Sequence, residues 1–154
     1  MRRRTSLLLA AVVCLALTVA SPAYAQEPTI VTDITFPEEG APFGTFTATA
    51  PLCPSGTFVD QFIGGGGAFR SGHVEYGSAT ILKTFTCADN SGTFTILFHP
   101  QFSPATPAGC AQAGPFTVVG GTGAYTKLRG QGDFCLLVEG DDFTETFTGT
   151  FILG

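Results

Sequence analysis

The chain has no tryptophan, a single methionine at Met1 and two histidines, His73 and His99. Almost no stretch repeats its apolar residues with a helical period, which excludes a helical domain. Basic residues are few and unevenly placed. Three of the seven, Arg2, Arg3 and Arg4, stand together at the N-terminus. Residues 26–154 carry only four, Arg70, Lys83, Lys127 and Arg129, against all twelve acidic residues, for a formal charge of −8. Such a surface repels phosphate backbones and anionic lipid, which argues against nucleic acid and membrane surfaces as partners. There is no C-x-x-C pair to suggest a thiolate metal site and no G-x-S-x-G nucleophile elbow. No motif implies a cofactor.

The arginine cluster is followed by an apolar run, Leu7 to Ala20, then Ser21-Pro22 and Ala23-Tyr24-Ala25. Positive flank, apolar stretch and A-x-A site in this order predict a cleavable secretory signal over residues 1–25 and one mature domain over 26–154. The run falls short of the roughly 20 residues that a membrane-crossing helix needs. Val13 before Cys14 argues against a lipoprotein site, which requires a small residue there. The expected destination is outside the cytoplasm, extracellular or in the cell envelope.

What the mature part has in abundance is phenylalanine: all fifteen lie there. Apolar residues alternate with polar ones along Phe43 to Thr49, Ser78 to Cys87, Thr93 to Phe98 and Phe143 to Phe151. In the last of these Phe143, Phe147 and Phe151 share one face, while Thr144, Thr146, Thr148 and Thr150 share the other. That period of two predicts strands with one buried face. Gly-Thr-Phe recurs at Gly44, Gly56, Gly92 and Gly149 with irregular spacing, so it is no solenoid repeat; the first three mark strand openings after a turn and Gly149 lies within a strand. Turns are expected at Pro37–Pro42, Pro51–Gly56, Gly64–Gly67 and Asp89–Gly92, with a long irregular segment at Pro100–Gly114. Seven or eight strands predict a small all-β antiparallel barrel, with a sandwich as the rival architecture.

Four cysteines remain after cleavage, an even number in an exported domain, which predicts two disulfides. Of three pairings, Cys53–Cys87 and Cys110–Cys135 join neighbours in cysteine order and close loops of modest length. Each contributes about 3–4 kcal/mol through loop entropy.

The most specific pattern is Phe116-Thr-Val-Val-Gly-Gly-Thr-Gly-Ala-Tyr-Thr-Lys-Leu-Arg-Gly-Gln-Gly132. It resembles the glycine-rich segment of the allene oxide cyclase and dirigent barrels, where such a segment links two neighbouring strands through one short turn. The wider run, with Cys-Pro-Ser-Gly-Thr-Phe and Phe-Thr-Cys-Ala-Asp, is similar to secreted actinobacterial proteins that share this motif. The resemblance implies a barrel, and self-association as dimers or trimers. It brings no active-site residues, because the matching segment is a structural turn. On physical grounds Gly120, Gly121 and Gly123 permit a tight reversal through positive φ. Tyr125 and Leu128, three apart, fit one helical turn capping a barrel end, before Arg129 and Gly130 lead into the next strand. A dinucleotide loop is rejected, since Thr126 replaces the third glycine and no helix-length amphipathic run follows.

Candidate chemistry is sparse. His73 and Glu75 fall on one side of a strand and, with His99, are the residues to weigh as metal ligands or an acid–base pair. The preferred reading is two exposed histidines and no metal site. Asp141-Asp142 beside Glu139 lacks the ligand spacing of a calcium loop and reads as an acidic hairpin turn. Arg70 and Arg129 are better matched to neighbouring carboxylates than to an anionic ligand. The threonine face is ordinary strand surface.

Two functions follow as expectations. The first is a non-enzymatic binding or envelope-associated module that holds a small apolar ligand among its phenylalanines. The second is an enzyme or dirigent-like guide acting on a hydrophobic substrate, which requires ionisable or hydroxyl groups to converge inside the barrel. The residues to watch are Asp60, Arg70, His73, Glu75, Tyr76 and His99.

Overall fold

The computed structural model describes residues 28–36, 43–71, 74–103, 106–139 and 142–154. Its strands are β1 (Thr29–Phe36), β2 (Phe43–Ala48), β3 (Ser55–Ser71), β4 (Val74–Cys87), β5 (Thr93–Phe98), β6 (Gln101–Phe102), β7 (Gln112–Gly121), β8 (Arg129–Glu139) and β9 (Asp142–Ile152). Pairing runs β3-β2-β1-β9-β8-β7-β5-β4, and β3 pairs again with β4. The sheet therefore closes on itself as an eight-stranded antiparallel barrel, with the short β6 lying between β4 and β7 as a ninth strand. Closure removes the unpaired edges that a sandwich would leave.

The period-two pattern decides which side chains enter. In β5 the order runs half-buried then buried throughout, which sends Phe94, Ile96 and Phe98 inward. Phe85 and Phe94 stack at 4.6 Å between ring centroids, and Phe46 meets Phe85 edge-on at 5.0 Å. Phe147 is the centre of the interior, with Phe98 and Phe134 both 5.2 Å away and Phe116 at 5.6 Å. Edge-to-face and offset geometries suit the ring quadrupole, and each buried phenylalanine stabilises by about 1.5–3 kcal/mol. The interior is thus packed with rings.

One end is sealed. A 3-10 turn, Gly123–Tyr125, follows β7, and Tyr125 and Leu128 fold under the barrel as buried plugs. Tyr125 lies edge-on to Phe94 at 5.6 Å, and the Leu128 N–H donates to the Tyr125 carbonyl at 3.0 Å. Only Gly123 of the expected three glycines uses positive φ, at 58°, and a β-carbon there would stand 2.3 Å from the Ser91 carbonyl oxygen. Gly121 is needed for close approach instead, since a β-carbon would meet the Tyr125 carbonyl oxygen at 2.4 Å. Gly120 has open space around it. Buried Leu52 and the Cys53–Cys87 disulfide complete this end.

Both disulfides form in the expected pairing, with Cα separations of 5.9 Å for Cys53–Cys87 and 5.4 Å for Cys110–Cys135. They fit an oxidising compartment. The second ties the long segment after β6 to β8. Asp89–Gly92 is the β4–β5 hairpin, with Asn90 at φ 61° and Gly92 at φ 143°. Asp89 accepts a hydrogen bond from the Ser91 N–H at 2.9 Å, and Ser91 holds its carboxyl below the ordinary value.

The expected turn at Gly64–Gly67 is not a turn. These glycines lie within β3, where the register with β4 shifts between Phe62 and Gly64 and again between Gly65 and Gly67. Gly65 has φ 78°, and a β-carbon there would approach Ala79 Cα to 2.8 Å. Glycine here admits bulges that bend a continuous strand. The expected turn at Pro37–Pro42 lies outside the described residues.

Candidate functional site

Among the described residues, Asp60, Lys83 and Glu145 place charged groups at inward positions that otherwise hold mostly apolar residues. Asp60 follows Phe58 by two in β3, Lys83 lies between Ile81 and Phe85 in β4, and Glu145 lies between Phe143 and Phe147 in β9. Backbone register sets Asp60 directly opposite Lys83. Glu145 arrives from across the barrel, because β4 and β9 are separated by three strands in either direction. Lys83 therefore spans the interior. Its Nζ donates to Glu145 Oε2 and lies 3.4 Å from Asp60 Oδ2. Lys83 has no exposed surface, and the side chains of Asp60 and Glu145 are 5% and 12% exposed.

The ammonium is also held by rings. Lys83 Nζ lies 3.8 Å from the centroid of Phe58, 5.5 Å from Phe147 and 5.6 Å from Phe98. An ammonium over aromatic faces gains about 2 kcal/mol when desolvated, which offsets part of the cost of burying it. Asp60 is less well served. Its Oδ1 is buried with no hydrogen-bond partner. Burial pushes its carboxyl up to about 7, against the opposing pull of Lys83.

This group sits at the end away from the Tyr125 plug. Beyond it, Phe62 of β3 and Val138 of β8 continue the inward parity of Asp60 and Leu136, yet are 64% and 44% exposed. Both are exposed apolar side chains at this end of the barrel, on strands that face each other across it. Backbone register also brings Asp33 of β1 opposite Glu145.

The residues singled out from sequence fare differently. Asp60 is part of the group. Arg70 pairs with Glu75, and Phe69 with Tyr76, in the outer part of the β3–β4 hairpin beyond the bulges, so the backbone does not bring them level with Lys83. His73 lies outside the described residues. His99 follows inward Phe98 and takes the outer side, its Nδ1 3.2 Å from Thr80 Oγ1. Arg129 is exposed at the start of β8. Among the described residues, no three His, Cys, Asp or Glu side chains are grouped to hold a metal ion. Outward threonines satisfy one another, as Thr84 and Thr95 do at 3.1 Å. Lys83 and Glu145 were not singled out from sequence.

A concavity of about 550 Å³ lies outside the barrel wall. It separates Ser103, Thr106 and Pro107 from the outer face of Asp133, Thr146 and Thr148, and the Cys110–Cys135 bridge lies on its border. No family model, curated protein or solved structure matches the chain.

Proposed function

We propose that this is an exported binding protein, released by cleavage after Ala25, whose barrel receives a small and largely apolar molecule. The observation that carries this reading is the buried, unpartnered Oδ1 of Asp60, with exposed Phe62 and Val138 next along the inward series of β3 and β8. A buried acceptor without a donor costs about 1–3 kcal/mol, and a ligand that supplies the donor recovers it. The ring-packed interior moves the ligand from among the phenylalanines to the exposed side chains of Phe62 and Val138. Kinship with allene oxide cyclase and dirigent barrels is supported by the eight-stranded closure and by the glycine-rich link from β7 to β8.

A second reading, a guide or cyclase acting on a hydrophobic substrate, is favoured by the convergence of Asp60, Lys83 and Glu145 inside the barrel. Binding is preferred because Lys83 is already engaged by two carboxylates and is not a free base. The test uses the exported chain with its disulfides intact. Its mass is expected to correspond to a start at Gln26. An apolar dye is expected to bind, and ligands retained in native mass spectrometry are expected to be released unchanged. Absence of dye binding removes the binding reading, and release of chemically altered molecules establishes the guide.

A further inference from the structure

We infer that the head of the ligand is a protonated amine carried on an apolar body. This rests on the binding reading above and adds the chemical class. The argument is one of charge and donors. The site holds two carboxylates, Asp60 and Glu145, against the single ammonium of Lys83. The groups around Asp60 can be followed strand by strand. β4 contributes Lys83 and β9 contributes Glu145. The inward residues of β5, β7 and β8 are apolar at this level: Ile96, Phe98, Phe116, Phe134 and Leu136. Negative charge is in excess.

Three head groups can be compared against this site. A carboxylate adds a further anion to a site whose ammonium is already shared, so it is repelled. A hydroxyl gives Asp60 Oδ1 its missing donor and leaves the charge excess in place. An ammonium supplies both donor and charge, and charge-assisted hydrogen bonds are about twice as strong as neutral ones. Lys83 shows that the surroundings suit such a group, since its own ammonium is held between carboxylates and the faces of Phe58, Phe98 and Phe147. Phe62 and Val138 then cover the apolar body.

The experiment compares probes of one shape and three heads: 2-phenylethylamine, 2-phenylethanol and phenylacetate. Each is titrated into the exported, disulfide-intact chain at pH 8 and followed by NMR shifts of Phe62, Val138 and the three charged residues. The amine is expected to bind about tenfold more tightly than the alcohol, equivalent to about 1.4 kcal/mol, with phenylacetate weakest. Asp60→Asn is expected to bring the amine down to the affinity of the alcohol. The wild-type series decides the matter even if that variant does not fold. Equal affinities, or tightest binding of phenylacetate, overturn the amine assignment and leave the binding reading standing. Failure of all three probes to bind, together with failure of the apolar dye, overturns both.

Discussion

The two ends of the barrel are built from the same alternating strands and differ in what occupies the inward positions and in the Tyr125 turn that covers one of them. At the sealed end Phe46, Phe85 and Phe94 pack on one another, with Tyr125, Leu128 and Leu52 beneath them. At the other end the next inward residues of the same strands include Asp60 and Lys83, with Glu145 facing them from β9. Hydrocarbon at the first end stabilises the fold without further condition. Ions at the second end must be desolvated, and their attraction repays that cost only with complete pairing. Asp60 Oδ1 shows that the pairing is incomplete. Unconditional hydrocarbon packing and conditional ion pairing are thus separated along the barrel axis.

The sharpest way to break this comparison is to remove the one buried ammonium. Lys83→Met leaves two carboxylates without their counter-ion and is expected to lower the unfolding free energy by about 3–5 kcal/mol in urea titrations. Replacing Asp60, Lys83 and Glu145 together by Leu, Met and Leu is expected to restore wild-type stability or exceed it, while abolishing ligand binding. A cost below about 1 kcal/mol for Lys83→Met places the ions in solvent-like surroundings and sinks the contrast between the ends.

A pH series sharpens it. Asp60 ionises near 7 in the folded protein against an ordinary value of 3.8. A raised carboxyl favours the folded state fully below about pH 4, and that contribution is lost as pH rises to about 7. Asp60→Asn stays neutral, so its stability relative to the wild type is expected to climb across that window by a few kcal/mol at most, then level off. A constant difference between pH 4 and pH 8 contradicts the burial of this carboxyl. Amine affinity is expected to move the opposite way to wild-type stability, strengthening as Asp60 ionises.

The smallest effects belong to the glycine turn at the sealed end. Gly123→Ala meets both a positive φ and the Ser91 carbonyl and is expected to cost about 1–3 kcal/mol. Gly120→Ala enters open space and is expected to stay within about 0.5 kcal/mol. Equal effects on thermal unfolding would show that the reversal is not set by Gly123.

Much of the sealed end was legible in the sequence, because its causes are local. Alternating Phe and Thr in β9, the Asp-Asn-Ser-Gly hairpin, and Tyr125 spaced three from Leu128 each carry their own geometry. The disulfide pairing followed from order along the chain. The charged end was legible in part. Its signal was parity: Glu145 fills the vacant place in the series Phe143, Phe147, Phe151, and Lys83 sits in step with Ile81 and Phe85. A charged residue in such a series is ordinarily read as a solvated exception. What turns these exceptions into one site is that β4 and β9 face each other across the interior, a consequence of closure that no local pattern encodes. Arg70, Glu75 and Tyr76 stand beyond the glycines at 64–67, which bulge β3 rather than turn it.

The arrangement of the seam has a consequence for how the molecule is made. β1 lies between β2 and β9, so the first and last strands seal the cylinder together. A chain emerging N-terminus first cannot shut its cylinder until the final residues, Phe147 and Phe151 among them, have arrived. Closure of the cylinder is therefore the last step of assembly, and loss of the last strand leaves β1 and β8 each with one unpaired side.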